Sequence, residues 1–254
     1  MPNSLNMQTG ARNGKTAIVT GATRGIGAAI ARRLALDGFS VVLTFVQDGA
    51  AADAQVAVIR AAGGRATAVQ ADVSDADRFE QLFDEAEAAY GGSDVLVNNA
   101  GVMMLSPIVE ATDDHFDQQV AVNLHGAFNG MREAGKRLRP GGRIISISSS
   151  IVGLYLPTFG IYAATKSAIE AMTRILAKEL RGKSITVNAV APGPVEIDTM
   201  LNGQSPEVAE QLNQLELSKR LSEVEDIASV VSFLAGSQGG WINGQVLRAD
   251  GGLV

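Results

Sequence analysis

Lys15-Thr-Ala-Ile-Val-Thr-Gly-Ala-Thr-Arg-Gly-Ile-Gly27 is the stretch on which the reading of this chain turns. Lys15 to Thr20 is a short β-rich run, and Gly21, Gly25 and Gly27 follow as a glycine-rich turn. Ala28 to Asp37 has helical composition, Gly38 ends it, and Val41 to Phe45 is a second apolar β run. Strand, glycine turn, helix and strand form a βαβ unit. Glycines let a backbone approach a pyrophosphate, and a helix N-terminus offers free N–H groups and positive potential. The spacing is G-x-x-x-G-x-G, not the G-x-G-x-x-G of the general dinucleotide fingerprint.

The alternation continues outward from that unit. Ala50 to Ala62 reads as a helix stopped by Gly63-Gly64, and Arg65 to Gln70 as a strand. Ser74 to Tyr90 is helical with Ser74 as N-cap, Asp94 to Asn98 is a strand, and Asp113 to Leu138 is one long helix. Arg143 to Ile147 is a strand, Ile161 to Leu180 a helix and Thr186 to Ala191 a strand. Ser222 with Glu225 fits a capping box for a helix reaching Leu234, and Val246 to Arg248 fits a last strand. Near-continuous apolar strands separated by helices predict an α/β fold: a single Rossmann-type, doubly wound parallel sheet of about seven strands with helices on both faces. Residues 1–13 read as a loose tail and residues 14–254 as one domain, with a substrate lid around 193–219.

Composition narrows the function. The 254 residues are 46% hydrophobic, enough for a sizeable core. A net charge of -6 argues against a nucleic-acid partner. With no cysteine there is no disulfide, thiol catalysis or cysteine metal site. His115 and His125 lack ligand spacing, so no metal is expected. Nothing in the sequence reads as a secretory signal or a membrane span, and a cytoplasmic protein is the expectation.

The polar residues of interest fall just after the strands, where open α/β sheets bind ligands. The tip of the second strand separates NAD from NADP, because an acid there holds the ribose 2′-OH and repels a 2′-phosphate. Here Phe45, Val46 and Gln47 stand at the tip, and Asp48 comes late enough to cap the next helix. Arg24 in the glycine turn can meet a 2′-phosphate. NADP(H) is therefore the expected cofactor, with NAD(H) as the alternative. Tyr162 and Lys166 lie four apart on a helix, hence side by side. A neighbouring ammonium lowers a phenol's pKa from its free value of about 10, which suits a general acid–base. Taken alone, the pair also fits an ordinary amphipathic helix.

Thr20 to Gly27, Asn98-Asn99-Ala100-Gly101, the Ser149 to Tyr162 spacing and Tyr162-x-x-x-Lys166 together resemble the short-chain dehydrogenase/reductases of the classical type. The resemblance extends through Asp72-Val73, Asn123, Pro192-Gly193 and the ending Asp250-Gly251-Gly252. It implies Tyr162 as acid/base, Lys166 on the nicotinamide ribose, Ser149 on the substrate oxygen and Asn123 on a water of a proton relay. It implies Gly21, Thr23, Arg24, Gly25, Ile26, Gly27 and Phe45 around the cofactor phosphates and adenosine. Asp72 and Val73 fall at the adenine, and Asn99, Ala100 and Gly101 at the ribose. Pro192, Gly193 and Val195 fall at the carboxamide. The family often has a threonine two residues after the Val195 position, where this chain has Ile197.

The activity implied is NADPH-dependent transfer of hydride between nicotinamide and a ketone or secondary alcohol. Reduction of 3-oxoacyl thioesters, and oxidation of a sugar, polyol or steroid, are alternatives that share the same active residues. A non-catalytic NADP sensor is a more distant one. Met103, Met104, Leu105, Leu154, Tyr155, Leu156, Phe159, Met200 and Leu201 flank the expected pocket and suit an apolar carbonyl substrate. The resemblance also implies a homotetramer.

Overall fold

The computed structural model describes residues 14–195 and 222–254. The expected tail, the lid apart from its first residues, Ile197, Met200 and Leu201 lie outside the described residues. β1 (Thr16–Val19), β2 (Ser40–Phe45), β3 (Arg65–Gln70), β4 (Val95–Asn98), β5 (Arg143–Ile147), β6 (Thr186–Pro192) and β7 (Val246–Ala249) form one sheet. Its order is β3-β2-β1-β4-β5-β6-β7, and every pairing is parallel. The order reverses between β1 and β4, so the ligand crevice of such a sheet opens beyond their carboxyl ends.

Side chains alternate across each strand, and both faces are apolar. Ala17, Val19, Val41, Leu43, Val95, Val97 and Ile145 pack under α1 (Gly25–Leu36), α2 (Gly49–Ala61) and α8 (Val224–Ala235). Ile18, Val42, Leu96, Ile144 and Val187 pack under α3 (Ala76–Tyr90), α5 (Gly126–Arg137) and α7 (Gly160–Glu179). Burial on both sides explains why the strands read as unbroken apolar runs. The doubly wound parallel sheet is as expected.

Four local expectations change. α1 begins at Gly25 rather than Ala28, so two of the three turn glycines belong to its first turn. The α3 cap is Asp75, whose carboxylate accepts from Asp77 and Arg78 N–H, while Ser74 donates to Asp72 Oδ1 instead. The α8 capping box is Glu223 with Asp226, because Ser222 is held in a bridge to Val195. The long helix is not continuous: α4 (Asp113–Gln119) passes into a π segment (Val120–His125) before α5. That wider turn lets Gln119 and Asn123 face the chain after β4, while Gly126 and Gly130 press against Val73 and Asn98.

Candidate active site

The β1–α1 turn is built to bring backbone close. Gly21 adopts φ +62°, and a Cβ there would stand 3.0 Å from Ala100 Cα. A Cβ on Gly27 would overlap Asn99 Nδ2 and the Gly21 carbonyl. Thr44 Oγ1 accepts from Gly21 N–H at 3.1 Å, and the Thr44 carbonyl accepts from Ala22 N–H. Thr20 Oγ1 accepts from the N–H groups of Asn99 and Ala100, and Asn99 Nδ2 donates to the carbonyls of Thr20 and Gly21. The side chain of Asn99 therefore fastens β4 to β1. The N-cap of α1, Arg24, supplies no capping side-chain bond. Thr23 is half-buried beside it and Arg24 exposed, while Ile26 packs onto the core and offers only its backbone. A glycine cradle closed by neighbouring atoms, below an uncapped helix N-terminus, fits a dinucleotide pyrophosphate.

The other expected cofactor residues ring the same crevice. Phe45 ends β2 and lies against Gly49. The nearby acid, Asp48, caps α2 by accepting from Ala51 N–H at 2.9 Å. Asp72 and Val73 follow β3, with Asp72 exposed and its Oδ1 held by Ser74. Ala100 and Gly101 follow β4. Pro192 ends β6, Gly193 N–H donates to the Ala249 carbonyl, and Val195 is buried at the bridge to Ser222.

Tyr162 and Lys166 stand one turn apart on α7, facing the end of β5. Lys166 is buried and Nζ donates to the Ile147 carbonyl at 2.8 Å. It lies 5.5 Å from the centroid of the Tyr162 ring. Burial pushes the Lys166 pKa down to about 8. Burial pushes the Tyr162 phenol up to about 12, and a hydrogen bond with Ser149 pulls against that rise. The expectation that Lys166 lowers Tyr162 is thus corrected. The ammonium sits over the ring and is directed at a carbonyl, so desolvation prevails.

Three consecutive serines follow β5 in three different settings. Ser148 Oγ donates to Glu170 Oε1 at 2.9 Å, and Ser150 Oγ to Asp250 Oδ2 at 2.8 Å, both buried. Ser149 is half-buried, its Oγ accepts from Ile151 N–H at 3.3 Å, and its hydroxyl acts on the Tyr162 phenol. Asn123 Oδ1 accepts from Val102 N–H and Nδ2 donates to the Val102 carbonyl, both at 2.8 Å, which fixes the chain leaving β4. A Cβ on Gly101 would lie 3.2 Å from Asn123 Oδ1 and 3.6 Å from Lys166 Nζ. A cavity of about 10 Å³ between Thr20, Asn98, Ala100, Asn123 and Lys166 has room for roughly one water.

Two segments form an apolar lip beyond these groups. Met103, Met104 and Leu105 follow β4, and Leu154, Tyr155, Leu156 and Phe159 follow β5. Ser106 N–H donates to the Thr158 carbonyl at 3.1 Å and joins them. Ile108 and Val109, 72% and 93% exposed, extend the lip. The sequence reading missed both, since their exposure is fixed only by how the two segments meet. It also missed Thr44, Gln119 and Glu170, and gave no role to the Thr20 side chain; each holds a site element through a partner distant in sequence. Among the described residues no group of three or more His, Asp or Glu could hold a metal, and no helix is long and apolar enough to cross a membrane.

A family model described as enoyl-(acyl carrier protein) reductase matches residues 21–254. A short-chain type dehydrogenase/reductase of Picea abies is 44% identical over 251 residues, 95% of this chain and 93% of the relative. An NADPH-dependent aldehyde reductase-like protein, chloroplastic, of Arabidopsis thaliana is 40% identical over 255 residues, 95% of this chain and 94% of the relative. The crystal structure of a short-chain dehydrogenase from Burkholderia cenocepacia J2315 in complex with NADP has a TM-score of 0.90 at 38% identity, covering 95% of this chain and 98% of that one. With the ordered motifs on one parallel sheet and relatives of this identity along nearly the whole length, the chain belongs to the classical short-chain dehydrogenase/reductases.

Proposed function

We propose that the protein is an NADPH-dependent oxidoreductase that reduces an uncharged, apolar ketone or aldehyde, with Tyr162 as the general acid. The observation that carries the reading is the face of α7: Tyr162 meets Ser149, and Lys166 is buried one turn on, at the mouth of the crevice that holds the glycine cradle. The cofactor would be held by the turn from Gly21 to Gly27, by Asp72 and Val73, by Asn99 to Gly101, and by Pro192, Gly193 and Val195. When bound, it supplies the hydride. NADP is favoured over NAD because Asp48 caps α2 while Arg24 lies exposed at the turn. The NADP complex of the Burkholderia relative and the named cofactor of the Arabidopsis relative support the same choice.

The residues act as follows. The phenol, with its pKa near 12, stays protonated at neutral pH and is ready to give its proton to the forming alkoxide. The Ser149 hydroxyl donates to the same oxygen, so two donors meet the charge that grows there. Lys166, with a pKa near 8, can gain or lose a proton close to working pH. The small cavity against Asn123 gives it a path for a relaying water. For alcohol oxidation the phenol must first ionise, so oxidation should gain rate as the pH rises. The substrate class follows from the lip. Residues 101–111 and 150–160 contain no Lys or Arg, and Glu110 is their one charge. The guanidinium nearest these segments is that of Arg248, which lies against Gly153; the segments' own side chains favour a neutral substrate. The same reading has the enzyme working as a homotetramer.

The test is initial-rate oxidation of NADPH and NADH over neutral ketones, aldehydes, 3-oxoacyl thioesters and sugars, with Tyr162→Phe in parallel. A lead for NADPH on neutral apolar carbonyls, and a fall of at least about 10²-fold in kcat for Tyr162→Phe with NADPH binding retained, are expected. Full turnover by Tyr162→Phe would remove the acid from the mechanism.

A further inference from the structure

We infer that Glu170, acting through the Ser148 hydroxyl, is a positioning residue that sets the register of α7 on the end of β5 and so holds Tyr162 against Ser149. The inference rests on the reading of Tyr162 and Ser149 given above. Tyr162, Lys166 and Glu170 follow one another at four-residue steps on α7, each a turn beyond the last. The stripe meets three consecutive residues at the end of β5. Lys166 Nζ donates to the Ile147 carbonyl at 2.8 Å. Ser148 Oγ donates to Glu170 Oε1 at 2.9 Å. Ser149, the next residue, accepts from Ile151 N–H through Oγ at 3.3 Å and is the hydroxyl that draws the Tyr162 phenol down.

The Glu170 contact lies in the interior. Glu170 is 6% exposed and Ser148 is 2% exposed, so neither partner can exchange the other for bulk water. Ser148 is itself fixed, its N–H donating to the Val190 carbonyl at 2.7 Å. The second carboxylate oxygen faces Arg174 at 3.4 Å, a half-exposed and weak tether. Ser148 is therefore the firm anchor. A helix held to a strand by one contact can still pivot about it. A second contact one turn away, about 6 Å along the axis, removes that freedom. The bond also commits the Ser148 hydroxyl proton, as Asp250 commits that of Ser150, whereas Ser149 only accepts, from Ile151 N–H, and keeps its proton for substrate. Donor alignment of this kind matters, since a misplacement of about 1 Å can lower turnover up to about 10²-fold.

The experiment compares Ser148→Ala, Glu170→Leu, Glu170→Gln and the Ser148→Ala/Glu170→Leu double variant, with Tyr162→Phe as control. Each is measured for kcat, KM, NADPH affinity and melting temperature. The alcohol-oxidation rate is followed against pH. Ser148→Ala and Glu170→Leu should each lose on the order of tenfold in kcat, with NADPH affinity held within about twofold. The double variant should lose no more than either single one, because both remove one bond. Glu170→Gln keeps an acceptor oxygen and should recover most of the turnover lost in Glu170→Leu. The alkaline limb of oxidation should move to higher pH in Ser148→Ala, as the Ser149 bond that lowers the phenol weakens. Wild-type kcat and pH profile in Ser148→Ala, with only the melting temperature reduced, would leave the bond as scaffold and overturn the inference. Additive losses in the double variant would overturn it too. If Glu170→Leu does not fold, Ser148→Ala and Glu170→Gln decide alone. Loss of the reading beneath is seen separately, as full turnover in Tyr162→Phe.

Discussion

Burial presses on Lys166 harder than its surroundings relieve it. The side chain is 4% exposed, and Nζ donates to the carbonyl of Ile147. Its pKa falls from 10.5 to about 8, so between those values the unfolded chain binds a proton that the folded one has released. Stability from this group therefore rises with pH across that window, and the penalty of a buried ammonium is in full force below pH 8. Tyr162 has the opposite sign: raised from 10 to about 12, it keeps its proton when folded and lowers stability as pH rises through that range. The two windows barely meet, so Lys166 can be read by itself. Lys166→Met should abolish turnover. Between pH 8 and pH 10 the unfolding free energy of wild type should gain about 2 kcal/mol relative to the variant. Denaturant melts of both proteins along the pH series check this, and a difference constant with pH would show a solvated ammonium. What was legible at this scale was adjacency: four-residue spacing places Tyr162 beside Lys166 in any helix. Which way Nζ points was not legible, and that direction decides that burial, not the lysine, governs the phenol.

The elements were legible where periodicity is long, and less so where neighbouring residues compete for one role. Asp72, Ser74 and Asp75 can each cap a helix, and the contest is settled in space, with Asp72 accepting from Ser74 and Asp75 capping α3. The π segment left no trace in the apolar pattern, since a widened turn only re-phases the residues after it. The two helix starts predict different outcomes. Asp75→Ala removes a cap and should cost about 1 kcal/mol of stability with cofactor affinity unaltered. Gly27→Ala drives a methyl into Asn99 Nδ2 and the Gly21 carbonyl, two atoms that are bonded to each other. It should cost about 1–3 kcal/mol and also open the turn. NADPH affinity should then fall at least about tenfold. Thermal melts with and without NADPH separate the two. An Asp75→Ala protein that loses its cofactor-induced shift, or a Gly27→Ala protein that keeps it in full, would contradict the account.

At the scale of the whole molecule, the sheet order was legible because a run of βαβ units has few solutions once both faces are apolar. Assembly was implied by the resemblance alone, because the faces that a copy would cover look like ordinary helix surface in sequence. In the structure they separate. α7 turns Tyr162, Lys166 and Glu170 inward and leaves Ala164, Ala168, Ala171 and Ile175 as an outward stripe, with Ile175 56% exposed. On α5 and the turn before it, His125 stacks on Phe128 and Arg132 lies 5.1 Å over the same ring, which is 42% exposed. β7 is an edge strand, and Trp241 beside it is 99% exposed. Small side chains in a row let two copies of α7 approach closely, and a two-fold axis would set each stripe against itself. If a second apolar region at the far edge of the sheet joined such pairs, the proposed tetramer would result. Light scattering at micromolar concentration should give the mass of four chains for wild type. Ile175→Asp places a charge in the first contact and should leave dimers joined through the Trp241 edge. Because α7 also carries Tyr162 and Lys166, those dimers should turn over more slowly than the wild-type tetramer. A wild-type mass of one chain would make both stripes plain surface, and α7 would then hold its register through β5 alone.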